Sequence, residues 1–406
     1  MNNKYLFSDK ALLYIAIVAL LCNMVYWIFP FRPIVWRMMV LLCFVDVIVL
    51  RRRQLTGLEK SVLWFAVLNF VYFFFSIVFM LPDYGQIGNI SVALLSLSFF
   101  THMGQRRLLT NRFVFVVIIL LIAGSILQYN YSKRMIFETY DLETAVNNFT
   151  TSFLMLLPLL MKVRNNVLKI SGFVICLLYI IAGAKRGNIF AATIPTLLFT
   201  IIMVKRSERK SVLHIVFTIA IIIAAGTFLY NQFFSNEFLM HRMEQTAQGN
   251  TTGRNIIYRH AWMAWSESDN FLHLLLGYGF DGTIRHPLMN GMHAHNDWLE
   301  ILVDYGLAGV CVYLFVFISF FKVILIENNP ENRMILISVL SIWLFKTIYS
   351  MGFTEPNLSI MFIVVGAILG QRQTDTRSDT VIQNDVSDKD KYMSRKKEIL
   401  LNVSDR

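Results

Sequence analysis

Apolar residues in this chain fall in long blocks divided by short polar stretches, not at the period of two of a half-buried strand or the 3.6 of a surface helix. The blocks run over 11–29, 34–50, 61–81, 87–103, 113–128, 147–161, 168–184, 188–204, 211–231, 299–321, 334–352 and 355–370, the limits of the fourth and sixth being the least sharply drawn. A helix needs about 20 apolar residues, at about 1.5 Å rise each, to cross the hydrocarbon core of a bilayer. With no water there to satisfy the backbone, only helices and closed barrels can span it. The pattern predicts an all-α polytopic membrane protein with about 12 transmembrane helices. Its first block follows Lys4 and Lys10, as in a signal peptide, but stays apolar to Phe29 without a small-x-small cleavage site, so we read it as a retained first helix.

Composition agrees: of 406 residues, 56% are apolar and 16% charged. A water-soluble chain has roughly 45–50% and 25%. The formal charge of +11 would suit nucleic acid, but its placement points elsewhere. With the N-terminus in the cytoplasm, cytoplasmic segments receive Arg51 to Arg53, Lys60, Arg106, Arg107, Arg112, Lys162, Arg164, Lys169, Lys205, Arg206, Lys322, Arg333 and the basic tail. The opposite face receives fewer, among them Lys185, Arg186, Arg242, Arg254, Arg259 and Arg285. That asymmetry orients membrane helices, so the basic residues are read as topology signals and no nucleic-acid partner is expected. Cys22, Cys43, Cys176 and Cys311 all fall inside apolar blocks, at no metal or disulfide spacing.

Four regions follow: N-terminal transmembrane helices over 1–232, a large loop over 233–298, C-terminal transmembrane helices over 299–370 and a polar tail over 371–406 expected to be disordered. The loop is far longer than a helix-to-helix turn requires and falls on the non-cytoplasmic face. It holds His241, His260, His273, His286, His293 and His295, six of the eight histidines. A polar loop on an apolar scaffold is where function is expected. No P-loop or internal repeat is visible, and Gly277-Tyr278-Gly279 lacks the βαβ context of a dinucleotide site.

The strongest local signal is His293-Ala294-His295-Asn296-Asp297-Trp298-Leu299-Glu300, running directly into an apolar span. Asn296 or Asp297 can cap that helix, and Asp297 and Glu300 suit its first turn. His295 is then held at the membrane surface as a general base, a metal ligand with His293, or an interfacial polar residue; no further ligand at metal spacing supports the second. Arg186, in Ala184-Lys185-Arg186-Gly187, sits between two apolar blocks with almost no loop. A charge at that depth lines a cavity, pairs, or snorkels to the interface. Arg254, before the amphipathic stretch 256–265, is the second arginine candidate.

Gly277-Tyr278-Gly279, His295-Asn296, nine residues and then Gly306-Leu307-Ala308-Gly309 resemble the signature of the bacterial O-antigen ligase and O-antigen polymerase superfamily. Arg186-Gly187 between two spans and an arginine shortly before a Trp-containing helix are similar to that family too, as is the overall layout. The resemblance implies a metal-independent, inverting glycosyltransferase of the bacterial inner membrane, needing no cofactor, with a large periplasmic loop containing short helices. Its donor would be an undecaprenyl-diphosphate-linked glycan. Its acceptor would be lipid A core in a ligase, or another lipid-linked repeat unit in a polymerase. His295 would be the activating base, Arg186 and Arg254 the diphosphate binders, and Asn296 a substrate-side residue that orients His295 or caps the helix. The rival from another class is a lipid-linked oligosaccharide flippase or transporter, whose sites lie at the bilayer midplane. Asp46, Asp304 and Lys346 are the intramembrane ionisable residues that reading would use, with Asp304 and Lys346 otherwise expected to serve as a buried structural ion pair.

Overall fold

The computed structural model describes residues 8–25, 55–79, 84–137, 148–207, 212–235, 237–247 and 253–374. Asp46, the block at 34–50 and the tail beyond 374 lie outside them. The described residues form α1 (Asp9–Val25), α2 (Gly57–Phe79), α3 (Tyr84–Gln105), α4 (Asn111–Phe137), α5 (Thr151–Lys162), α6 (Asn166–Ala182), α7 (Arg186–Ser207), α8 (Val212–Phe234), α9 (Glu237–Ala247), α10 (Arg254–Ser266), α11 (Phe271–Leu276), α12 (Gly282–Arg285), α13 (Asp297–Leu325), α14 (Pro330–Tyr349) and α15 (Leu358–Thr374). No strand occurs among them. Six helices, α2, α3, α4, α7, α13 and α14, are long and apolar enough to cross a membrane.

Caps explain several of the starts. Asn165 accepts from Val167 N at 2.9 Å and Leu168 N at 3.1 Å, and Asn329 accepts from Glu331 N and Asn332 N ahead of a helix whose first residue is Pro330. Both arrangements satisfy amide groups that the first turn leaves without partners. Where helices touch closely, small residues permit it: Gly366 of α15 lies against the backbone of Phe100 and Thr101 in α3, where a Cβ would not fit.

Three described apolar blocks give helices shorter than a span, α5, α6 and α15, so the expected count of about 12 is not reached among the described residues; α5 and the tenth block depart furthest from a simple span. The sixth yields only α5, 12 residues, which at the helical rise is about 18 Å long. That falls short of the roughly 30 Å hydrocarbon core. The helix is instead enclosed, with every residue from Thr151 to Met161 buried among α6, α7 and α14. The tenth, α13, is broken at Gly306, whose φ of 63° and ψ of −162° lie outside the helical region.

The break has a partner in sequence. The amides of Tyr278 and Gly279 donate to the carbonyls of Val303 and Asp304, each at 2.9 Å. Gly277 lies against the Asp304 and Tyr305 backbone, and Gly306 against the Leu275 and Leu276 backbone. Both glycines have positive φ, so a side chain at either position would be strained as well as blocked. The 277–279 turn thereby supplies the hydrogen bonds the interrupted helix lacks, and it fastens α11 and α12 to the first half of α13.

Candidate functional site

The α6–α7 corner is tight: Gly183 and Ala184, the latter at φ 46°, turn the chain so that Lys185 precedes α7 and Arg186 opens it. Thr150 fills the space a Gly183 side chain would need, and Asn188 Nδ2 donates to the Thr150 and Thr151 hydroxyls at 2.9 and 3.3 Å. Helix α14 packs along α7 in the opposite direction, so its last residues meet this corner. A Cβ on Gly187 would lie 3.9 Å from the Tyr349 Cβ.

The last carbonyls of α14 have no partner within their own helix, and residues from distant stretches supply one. Arg254 Nη1 donates to Tyr349 O at 2.7 Å, while Tyr258 Oη, one turn further along α10, donates to Ile348 O at 3.0 Å. Asn296 Nδ2 donates to Ile348 O at 3.0 Å, and its Oδ1 accepts from Leu299 N at 3.2 Å. Asn296 is therefore the cap of α13 and also a tie to α14. His295 sits directly before it, exposed, at φ 53°. A left-handed conformation costs a non-glycine residue about 1–2 kcal/mol, so its neighbours must hold it.

Electrostatics joins the same residues. Arg186 lies within electrostatic reach of Arg254. Burial, then Lys346 and Arg254 against the opposing Glu355, push the Lys185 ammonium down to about 7. The His295 imidazole is held below its ordinary value by partial desolvation first, then by Arg254, His293 and Lys185, against the opposing Glu300. A neutral imidazole at an exposed position is able to accept a proton. Within the cation cluster Lys346 Nζ lies 3.5 Å from the Glu355 carboxylate. A site so arranged suits an anion.

The acids at the start of α13 serve the scaffold. Asp297, fully buried, accepts from Gly352 N at 2.8 Å, Phe353 N at 3.2 Å and the Tyr313 hydroxyl at 2.7 Å, fastening the segment after α14. Asp304 accepts from Thr283 N and Oγ1, both at 2.7 Å. The expected ion pair of Asp304 with Lys346 is thus not formed: each has its own partner, the Thr283 backbone and hydroxyl for one and Glu355 for the other.

The structure brings Arg186, Arg254, His295 and Asn296 to one end of the α7–α14 pair. It adds Lys185, Tyr258, Lys346 and Glu355, to which sequence reasoning assigned no part in the site. Tyr258 had a signal, since it lies four residues from Arg254 on the same helical face; the Lys346–Glu355 pair had none. His293 is engaged elsewhere, with Nδ1 2.6 Å from Glu300 Oε1. Residues 171–314, which include every one of the four sequence candidates, match a family model described as O-antigen ligase. No curated protein matches the chain.

Proposed function

We propose, from the match of residues 171–314 to the O-antigen ligase family model, that the chain is a metal-independent, inverting membrane glycosyltransferase of ligase type. It moves a glycan from undecaprenyl diphosphate to an acceptor, lipid A core, at the periplasmic face of the inner membrane. Arg186 and Arg254 bind the donor diphosphate, His295 is the base, and Asn296 keeps the base at the helix start.

The acceptor hydroxyl oxygen attacks the anomeric carbon from the face opposite the diphosphate. As that bond forms, the bond from carbon to phosphate oxygen breaks and its electron pair leaves on the diphosphate. His295 takes the hydroxyl proton. Permanently charged, bidentate arginines suit the departing anion, and a positioned neutral histidine suits the proton transfer. The observation that carries this reading is the meeting of Arg254 and Asn296, from separate stretches, on the end of α14 beside the Arg186 corner.

The test is the surface glycan of a deletion strain. Polymer left on its lipid carrier supports ligation; core bearing a single repeat assigns the chain to polymerisation instead. Glycan trapped on the cytoplasmic side would overturn the transferase reading in favour of a flippase.

A further inference from the structure

His295 is the residue on which the proposed transfer depends, yet among the described residues no hydrogen bond holds its imidazole. Its position comes from the backbone on both sides. On one side lies Glu300, in the first turn of α13 and fully buried. Its Oε1 is 2.6 Å from His293 Nδ1, and its Oε2 accepts from Ala294 N at 2.6 Å. The carboxyl group thus grips, one oxygen each, the two residues that lead into His295. On the other side the Tyr258 hydroxyl shares its single proton between Ile348 O at 3.0 Å and, as the longer and weaker arm, the His295 carbonyl at 3.4 Å. Burial raises the Tyr258 phenol above its ordinary range, which keeps it the donor. Asn296 then fixes the next residue through its cap and its bond to Ile348.

We infer that Glu300 and Tyr258 are positioning residues of the transfer reaction, a clamp that holds the His295 backbone in its left-handed conformation and so aims the imidazole at the acceptor hydroxyl. The inference rests on His295 being the base. The charged groups around it are His293 and Glu300 on its own segment and first turn, Arg254 and Tyr258 from α10, and Lys185 from the start of α7. Small displacements of a reacting group are expensive in rate, up to about a hundredfold for 1 Å. A clamp acting only through His295 must therefore lower kcat, leave donor binding alone, and have nothing left to do once the imidazole is gone.

The test is a double-mutant cycle in liposomes containing full-length protein, a lipid-linked glycan donor and a matched acceptor. Glu300→Gln keeps the size of the side chain but replaces one of the two acceptor oxygens with a donor. We expect kcat to fall about tenfold with donor KM within about twofold. In a His295→Ala background the same change should cost nothing further, because the two act as one unit. A purely structural role would slow both backgrounds alike, and that outcome overturns the clamp while leaving His295 as the base. Near-normal transfer by His295→Ala alone would overturn the base assignment, and the clamp with it. If Glu300→Gln does not accumulate in the membrane, Tyr258→Phe, which removes one hydroxyl from a half-buried ring, carries the identical cycle with an expected fall of about threefold. Additivity there is equally decisive.

Discussion

The two ends of the α7–α14 pair carry similar numbers of basic residues but treat them differently. At the end formed by Ser207 and Pro330, Arg206 is paired with Glu331 and donates to Val163 O, Lys162 donates to Asn332 at 2.7 Å, and Arg333 donates to Glu327 O. Lys169, buried in the same region, is the exception, with no hydrogen-bond partner for its Nζ. At the other end Lys185 lies within electrostatic reach of Lys346 and Arg254, and Arg186 of Arg254, while Lys346 faces Glu355 and an exposed histidine stands beside the group. At the first end the cations are held by an acid, an amide and backbone carbonyls. At the second, like charges press on one another at some cost in desolvation and repulsion, as they do where an anionic ligand is bound. The proposed site lies at the second end.

The largest effect should come from the group with no architectural duty. The His295→Ala protein should insert and bind lipid-linked donor normally, yet transfer glycan at least about a hundredfold more slowly, the usual contribution of a positioned base. Transfer by purified variants in liposomes measures it. A near-normal rate would move attention to His293, whose Nδ1 is already engaged by Glu300.

Next come the arginines. Arg186→Lys keeps the charge but loses the planar two-donor face, so activity should fall by about tenfold or more. Arg254→Ala also frees the Tyr349 carbonyl, and should fall at least as far through donor KM as well as kcat. Quantified membrane protein separates these losses from poor insertion. Full complementation of a deletion strain by both variants would leave the excess of positive charge without its proposed ligand.

A smaller, pH-dependent effect is expected at Lys185. Its ammonium is held down near 7, so it is charged below that pH and progressively neutral above it. Donor affinity should therefore weaken as pH rises, by at most about fivefold in KM between pH 7 and 8 if the charge is fully used. Lys185→Arg stays charged throughout and should flatten the dependence. A donor KM in wild type that is level over this range would remove Lys185 from the site.

Much of the scaffold could be read in advance because the bilayer imposes a length and composition that few other settings do. The helices α2, α3, α4, α7, α13 and α14 lie where apolar blocks predicted spans. What lies between helices was harder to read. Gly277 and Gly306 stood out as a spacing, but their reason, two backbones in contact beside a break in α13, is tertiary. The shortness of α5 was hidden because a buried half-length helix is as apolar as a spanning one. Arg186 stood out as a charge between two apolar blocks and His295 as a polar residue at the start of one, whereas Arg254 gained its weight from the family resemblance. Glu300 was visible only as a favourable acid in a first helical turn, and its grip on His293 and Ala294 depends on how the loop folds back. Asp304 and Lys346 were expected to pair because both are buried charges, although each had a partner closer in space.

The smallest expected effect tests the other half of the comparison. Arg206 and Glu331 form an ion pair whose side chains remain 29% and 30% exposed. Such a pair is screened by solvent and contributes at most about 1 kcal/mol. Arg206→Met retains much of the stem that packs along the helix and removes only the guanidinium, with its contacts to Glu331 and the Val163 carbonyl. Because α7 joins this end to the Arg186 end over its whole length, a rigid coupling would carry the loss to the site. A site built by local contacts at the end of α14 would not register it. We expect kcat and donor KM within about twofold of wild type, with a slight fall in thermal stability in detergent. Loss of transfer comparable to that of Arg254→Ala, in protein that is still folded, would mean that this end takes part in function, and that the clustering of like charges does not locate the site.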